Sequence, residues 1–401
     1  MRVLYIAPVD ERRSGIARYA WAFAAAMKRF GGMQIDALSD VIDGMIPGHT
    51  LADVRAVRRN VQRLIDSGRL NLYDCIHVEL GSDLYPEFFY AYYLTQSIQR
   101  PLVLTLHDAP FTVKSLCPYW DWGRSSHLSI RLIRKVWNVS IGRIYEQSLL
   151  RRSVLVQTLS RRALTEVRSR FPYLNPTFLP HIALDEQVPQ RSCYWDGARR
   201  LRLLFLGFVY PVKGVHLLLE AVATLAALPQ YRDRFELVVC GGFNTTYSRN
   251  EYVQRLKQYV SQRELRDIVT FTGFVPEDEV VRHLSESDVL ILPYLPSRIV
   301  SASGPLIRGM TFGDVPIVTD VRAFAEEVEN GRTGFVVPPN NVQAIVKRIQ
   351  QLIDSPRLVA EMSQNAQEHI RREHSWAVIA SQMRTLYEQA CRSNRDQWLY
   401  E

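Results

Sequence analysis

The stretch LRLLFLGFVYPVKG, from Leu201 to Gly214, decides the fold. Leu201–Leu206 is a short apolar run closed by Gly207, the pattern of a buried strand. Pro211 and Gly214 then punctuate a turn. The residues that follow, Gly214–Ala227, repeat with helical spacing. Downstream the alternation continues: strand Phe235–Cys240 ending in Gly241 and Gly242, helix Glu251–Gln262, strand Ile268–Thr272, helix Glu277–Ser285, strand Val289–Pro293, helix Pro305–Phe312 and strand Val315–Thr319. Strands alternating with helices of this length predict a parallel α/β sheet.

The same rhythm is present upstream. Val3–Pro8 reads as a strand, Ser14-Gly15 as a turn and Ile16–Arg29 as a helix. Cys75–Glu79, Leu102–His107 and Val154–Thr158 read as further strands, with a long helical stretch over Leu128–Arg151. Pro189–Arg200 is irregular and charged. The expectation is α/β throughout: two doubly wound parallel-sheet domains facing across a cleft, with ligands at the carboxyl ends of the strands. The boundaries predicted are residues 1–190, a linker at 191–200, residues 201–376, and a C-terminal segment 377–401. The amphipathic helix Ala377–Gln397 in that segment is expected to pack back across both domains.

Composition sets the outer limits. The 401 residues suit two domains. With 47% apolar and 22% charged residues, wholesale disorder is excluded. No apolar run approaches the roughly 20 residues of a membrane-spanning helix. The apolar stretch at the N-terminus is too short for a signal-peptide core. Cys75, Cys117, Cys193, Cys240 and Cys391 show no CxxC spacing. An odd, scattered set fits reduced thiols, a cytoplasmic location, and neither a disulfide framework nor a cysteine zinc site.

The net charge of +8 is unevenly placed. Residues 1–190 hold 24 Lys and Arg against 17 Asp and Glu, and within Arg124–Arg170 the counts are 11 and 2. Such a basic surface suits nucleic acid, an anionic membrane or a phosphate-bearing substrate. No nucleic-acid module accompanies it, so no nucleic-acid partner is expected. Across Leu128–Arg152, Ile130, Ile133, Trp137, Ile141 and Ile144 fall near one helical face, with basic residues elsewhere. That stripe is either core or a face lying on an anionic membrane, peripheral to its inner side.

Several positions can carry chemistry. Gly15 opens a helix after a strand, where backbone N–H groups can meet an anion. His107 and Asp108 close a strand, where polar side chains reach a site; His107 can donate to a hydroxyl or transfer a proton. Lys213, between a strand and a helix, is a point charge for phosphate. Ser301, Ser303, Gly304, Pro305 and Leu306 open a helix with hydroxyls, N–H groups and the helix dipole. Asn330–Pro339 reads as turn, short strand and stop.

With these residues in order, the chain resembles the GT-B glycosyltransferases of family 4, the group 1 glycosyltransferases. The resemblance rests on the Gly15 turn, Leu206-Gly207…Lys213-Gly214, Val269–Val275, Gly304…Met310…Gly313…Pro316–Thr319, and Gly331–Pro338. It covers essentially the whole chain, most strongly residues 201–340. It implies that the C-terminal domain holds a nucleotide-sugar and the N-terminal domain the acceptor. Lys213 falls where a lysine contacts the donor diphosphate, and Gly273, Phe274 and Val275 where backbone groups contact the base. Ser303, Gly304, Pro305 and Leu306 fall on the helix that receives the diphosphate. Gly15 falls on the glycine loop near the reacting centre, and His107 on a histidine that touches the donor sugar.

The chain departs from the family at three places. Phe208 stands where an arginine is usual, and Val300 and Arg308 stand where two glutamates are usual. The expected substitutes are Arg308 for a phosphate and Ser301 or Ser303 for part of the sugar contact. The implied activity is sugar transfer from a UDP- or GDP-linked donor to an acceptor hydroxyl, with retained anomeric configuration. No metal site and no cofactor beyond the donor are expected. The acceptor is a glycan, a lipid-linked sugar or a small aglycone, in polysaccharide, glycolipid or other glycoconjugate biosynthesis. The departures motivate a second reading, a non-catalytic GT-B subunit partnering another transferase; a nucleotide-sugar epimerase of the same fold is a third.

Overall fold

Among the described residues of a computed structural model of the chain, twelve strands are paired in two parallel sheets. It describes residues 1–8, 15–42, 51–81, 85–97, 99–112, 136–185, 194–242, 251–297, 302–321 and 323–398. The chain forms two compact units. The first comprises residues up to Ile182 together with Trp376 onward, and the second runs from Ala183 to Ser375.

The first sheet contains β1 (Arg2–Ile6), β2 (Gln34–Ala37), β3 (Cys75–Leu80), β4 (Leu102–Leu106), β5 (Leu155–Thr158) and β6 (Thr177–Phe178) in the order β2-β1-β3-β4-β5-β6. Strand side chains alternate between faces. Ile76, Val78, Leu80, Leu102, Leu104 and Leu106 share one apolar cluster with residues of helices Leu51–Asp66, Tyr85–Ser97 and Arg143–Arg152. The opposite face carries Tyr5, Cys75, His77, Glu79 and Thr105, all buried. Helices Gly15–Arg29 and Trp376–Trp398 cover that face: Phe23 stacks on Tyr5, and the Tyr387 hydroxyl meets His77 Nδ1. The C-terminal helix is thus a structural part of the first unit.

The second sheet contains β7 (Leu201–Leu206), β8 (Phe235–Cys240), β9 (Val269–Gly273), β10 (Val289–Leu292), β11 (Val315–Thr319) and β12 (Phe335–Val337) in the order β12-β11-β10-β7-β8-β9. Residues 194–200, read from sequence as linker, are docked on this unit. Trp195 is buried, and the Arg199 guanidinium grips buried Asp288 through two bonds of 2.6 and 2.8 Å. Of the charges that made the segment look solvated, Arg199 is spent on that pair, while Arg200 bonds the exposed Asp233.

Other differences from the sequence reading are local. The first strand ends at Ile6 rather than Pro8. Of the helical stretch expected over Leu128–Arg151, residues 128–135 lie outside the described residues. Its remainder contains a π-helical turn, Asn138–Gly142, before helix Arg143–Arg152.

Chain order reverses once in each sheet, between β1 and β3 and between β7 and β10. The second reversal requires close backbone contact. At Gly214, φ is +70°, and a Cβ would sit 1.8 Å from the Pro293 carbonyl oxygen, a contact only glycine permits. Gly214→Ala is expected to destabilise the second unit by about 2 kcal/mol or more. Urea denaturation of the two proteins measures the difference, and equal midpoints with equal slopes would contradict it.

Candidate active site

In the second unit, the sequence-predicted positions converge at the β7/β10 reversal. Doubly wound sheets bind ligands at this point because the flanking connections leave on opposite faces and open a crevice. A Cβ placed on Gly207 would lie 3.7 Å from Pro305 Cγ and 4.0 Å from Tyr294 Oη. The Lys213 ammonium lies 3.8 Å from the centre of the Tyr294 ring and 5.6 Å from that of Tyr210. Tyr294 is itself held from behind, its carbonyl accepting a 2.7 Å bond from Thr319 Oγ1 and its ring packing on Phe324. A cation, a glycine turn and a helix start therefore surround one place.

Helix Gly304–Phe312 begins there with Ser303 as its cap. Ser303 Oγ accepts the Leu306 N–H at 3.3 Å, and Ile307 N–H already bonds the Ser303 carbonyl. Pro305 has no N–H. The first turn consequently offers an anion the Gly304 N–H and the Ser303 hydroxyl proton, a smaller set than the sequence suggested. Ser301 and Val300 lie outside the described residues.

Gly273 ends β9, and Phe274 and Val275 follow it at the same end of the sheet. A Cβ on Gly242 would sit 3.1 Å from Phe274 Cβ, while the Phe274 ring is 59% exposed. Phe208, directly after Gly207, is half-buried.

Arg308 differs from its expected role. Its guanidinium is buried and bonds Asp185 through Nε and Nη2 at 3.0 and 3.1 Å. It also bonds Glu277 through Nη1 at 3.2 Å and through Nη2. Burial pulls its pKa down, but Asp185 and Glu277 outweigh that and raise it. With two carboxylates on one cation the cluster is net negative, so Arg308 is an anchor joining helix Gly304–Phe312 to the start of helix Glu277–Glu286 rather than a cation offered to phosphate.

In the first unit, Gly15 opens helix Gly15–Arg29, and His107 and Asp108 follow β4 beside Gly81 at the end of β3. Gly15 is exposed, and no atom would meet a Cβ on it within 4 Å. The more tightly packed glycine is Gly81, after β3: a Cβ there would meet the end of the Ile16 side chain at 2.4 Å, which would have to move, and would lie 3.4 Å from His107 Cβ and 3.6 Å from Asp108 Oδ2. Sequence reading passed over it.

Glu79 was also missed. It is fully buried, accepts the Tyr5 hydroxyl at 2.6 Å and faces His107 Nε2 at 2.7 Å. Burial pushes the Glu79 carboxyl up, but His77, His107 and the Tyr5 hydroxyl outweigh it and hold it below its ordinary value. An ionised carboxylate only accepts hydrogen bonds, so His107 Nε2 carries the proton and neutral His107 keeps its lone pair on Nδ1. The Tyr19 ring meets the His107 ring edge-on at 4.7 Å and fixes its plane. The signal was present: Cys75, His77 and Glu79 alternate along one strand, beside a neighbouring strand, Leu102–Leu106, whose single polar residue is Thr105.

Burial pulls His77 down to about 4. It is neutral when folded, bridging Tyr387 and Thr105, the latter at 2.6 Å. The unfolded chain takes up a proton near pH 6.5 that the folded one refuses until about pH 4. The contribution is therefore complete above pH 6.5 and lost as pH falls toward 4. His77→Gln is expected to flatten the stability profile in that window, as read by urea midpoints at several pH values. Parallel wild-type and variant profiles would contradict it.

Residues 198–369 match the family model of the glycosyl transferases group 1. Over 310 residues, 75% of this chain and 73% of the relative, the sequence is 25% identical to an alpha-D-kanosaminyltransferase of Streptomyces kanamyceticus. Several other curated glycosyltransferases align over less than half of their own length. Among solved structures, Anabaena Alr3699/HepE in complex with UDP superposes with a TM-score of 0.68 at 16% identity, covering 97% of this chain and all of that one. Sucrose-phosphate synthase from Thermosynechococcus elongatus gives 0.69 at 17%, covering 98% and 100%. The two six-stranded parallel sheets and these solved neighbours show the GT-B fold. Over residues 198–369, most of the second unit, the chain is similar to the group 1 glycosyl transferases. No described helix is long and apolar enough to cross a membrane.

Proposed function

We propose that the protein transfers a sugar from a UDP- or GDP-linked donor to an acceptor hydroxyl, with retention of anomeric configuration and no metal ion in the reaction. The second unit holds the donor and the first unit the acceptor. The observation that carries this reading is the convergence of Gly207, Lys213, Tyr294 and the Ser303-capped helix at one strand-order reversal. A lysine cation, a hydroxyl proton and a helix N-terminus suit the two negative charges of a diphosphate. Support for a nucleotide also comes from the fold neighbour solved with UDP.

In the proposed reaction the bond between the sugar's anomeric carbon and the diphosphate oxygen breaks, and its electron pair leaves on the diphosphate. Lys213, Ser303 Oγ and the Gly304 N–H stabilise that developing charge. The acceptor oxygen bonds the anomeric carbon on the same face, and its proton passes to the departing phosphate oxygen. His107 orients a sugar hydroxyl, accepting it at Nδ1, because Glu79 fixes the proton on Nε2. Gly273, Phe274 and Val275 contact the base, with Phe274 presenting an exposed ring for stacking.

The acceptor is proposed to be a glycan, a lipid-linked sugar or a small aglycone. A lipid-linked acceptor is favoured by Val136, Ile141 and Ile144, which are exposed on the segment carrying Arg143, Arg151 and Arg152. Leu149 and Leu150 fill the core side of that helix. Co-sedimentation with anionic but not neutral vesicles, weakened by Ile144→Glu, is the expected behaviour; equal recovery with both vesicle types would remove the membrane from the proposal.

The decisive experiment is a calorimetric titration with UDP, GDP and their sugar conjugates, followed by donor turnover. One conjugate is expected to bind, with Lys213→Ala weakening it about 10- to 100-fold through loss of a charge-assisted bond of roughly 1.5–3 kcal/mol. The bound Arg308 and the absent arginine at Phe208 favour a second reading, a non-catalytic GT-B subunit. Binding without turnover would support it, and no binding of any nucleotide would reject the donor site.

A further inference from the structure

Among the described residues, the second unit also buries a group of ionisable side chains outside the candidate site. Glu327 ends the short helix Phe324–Glu327, His369 lies in the last turn and a half of helix Pro356–Glu373, and His374 follows that helix directly. All three are buried. His374 Nε2 lies 2.9 Å and His369 Nε2 3.5 Å from the same oxygen, Glu327 Oε2. One donor atom from each residue falls within 4.8 Å of the others. His369 makes no well-formed hydrogen bond: its Nε2 has only the 3.5 Å contact with Glu327, and its Nδ1 lies 4.0 Å from Glu329 Oε1. Buried polar nitrogens are almost always satisfied, so His369 calls for a partner of another kind.

We propose that Glu327, His369 and His374 bind a divalent transition-metal ion, zinc above all. Two imidazoles and a carboxylate are a donor set suited to zinc, which takes nitrogen at about 2.0–2.1 Å and carboxylate oxygen at about 2.0–2.2 Å. Donor atoms on a tetrahedron of that size are separated by roughly 3.3 Å. The 2.9 and 3.5 Å spacings bracket this value, and a small side-chain rotation closes the widest pair. Glu327 Oε2, facing both imidazoles, is the oxygen of the donor set. With Nε2 on the metal, His369 Nδ1–H faces Glu329, the arrangement by which a carboxylate orients a ligating histidine. The ion would pin the Glu329–Gly334 turn to the segment where the chain leaves the second unit, just before Trp376. It is a structural site, and no step of the sugar transfer passes through it.

The test strips the full-length protein with a chelator and titrates it with zinc in competition with a chromophoric chelator. One tightly held equivalent is expected, and cobalt(II) in its place should give the strong visible absorption of a four-coordinate site. His369→Leu and Glu327→Gln, each confirmed folded by circular dichroism, should lose that equivalent. His107→Ala, which alters the other histidine–carboxylate group, should keep it. No equivalent bound by the wild type, its survival in both second-unit variants, or its loss in His107→Ala instead would each overturn the proposal.

Discussion

The contact between Gly214 and the Pro293 carbonyl is the constraint on which the second unit depends. Where β7 and β10 lie side by side, their connections leave in opposite directions, and the chain after β7 must pass directly over the end of β10. A glycine at positive φ lets that crossing happen at backbone distance. The crossing delivers Lys213 onto the Tyr294 ring, and Tyr294 stands at the same end of the sheet as Gly207 and Pro305. The lysine's position is thus a consequence of how the sheet is wound, and the cation–π contact only refines it.

The first unit solves a different problem. Its sheet buries a polar stripe, Tyr5, His77, Glu79 and Thr105, which in most parallel sheets would be apolar. The stripe is tolerated because its members satisfy one another and because Tyr387 supplies a partner from the covering helix. Its outer end is His107, so the fold's internal hydrogen bonding sets which nitrogen of that imidazole is exposed to chemistry.

The legibility of the sequence follows from this physics. Strands Leu201–Leu206, Phe235–Cys240 and Val315–Thr319 and helix Glu251–Gln262 have the bounds read from sequence, because short apolar runs between glycines are what buried parallel strands look like. Gly207, Lys213 and the Ser303–Leu306 helix start were legible for the same reason: the βα connections of such sheets are short. Glu79 was not, because an alternating strand face reads as solvent-exposed until a helix 310 residues away in sequence covers it. Nor was the fate of Arg308, whose partners Asp185 and Glu277 lie 123 and 31 residues off. Charge pairing at such separations leaves no periodic trace.

The return of the last helix to the first unit sets the order in which the protein can be made. The second unit is built from one nearly continuous stretch and can close as soon as Ser375 clears the ribosome. The first unit cannot finish then, because half the cover of its polar stripe is residues Trp376–Trp398. The usual vectorial order, in which the N-terminal part folds first, is inverted. Until those residues dock, the polar stripe has only helix Gly15–Arg29 over it, and His77 lacks its Tyr387 partner.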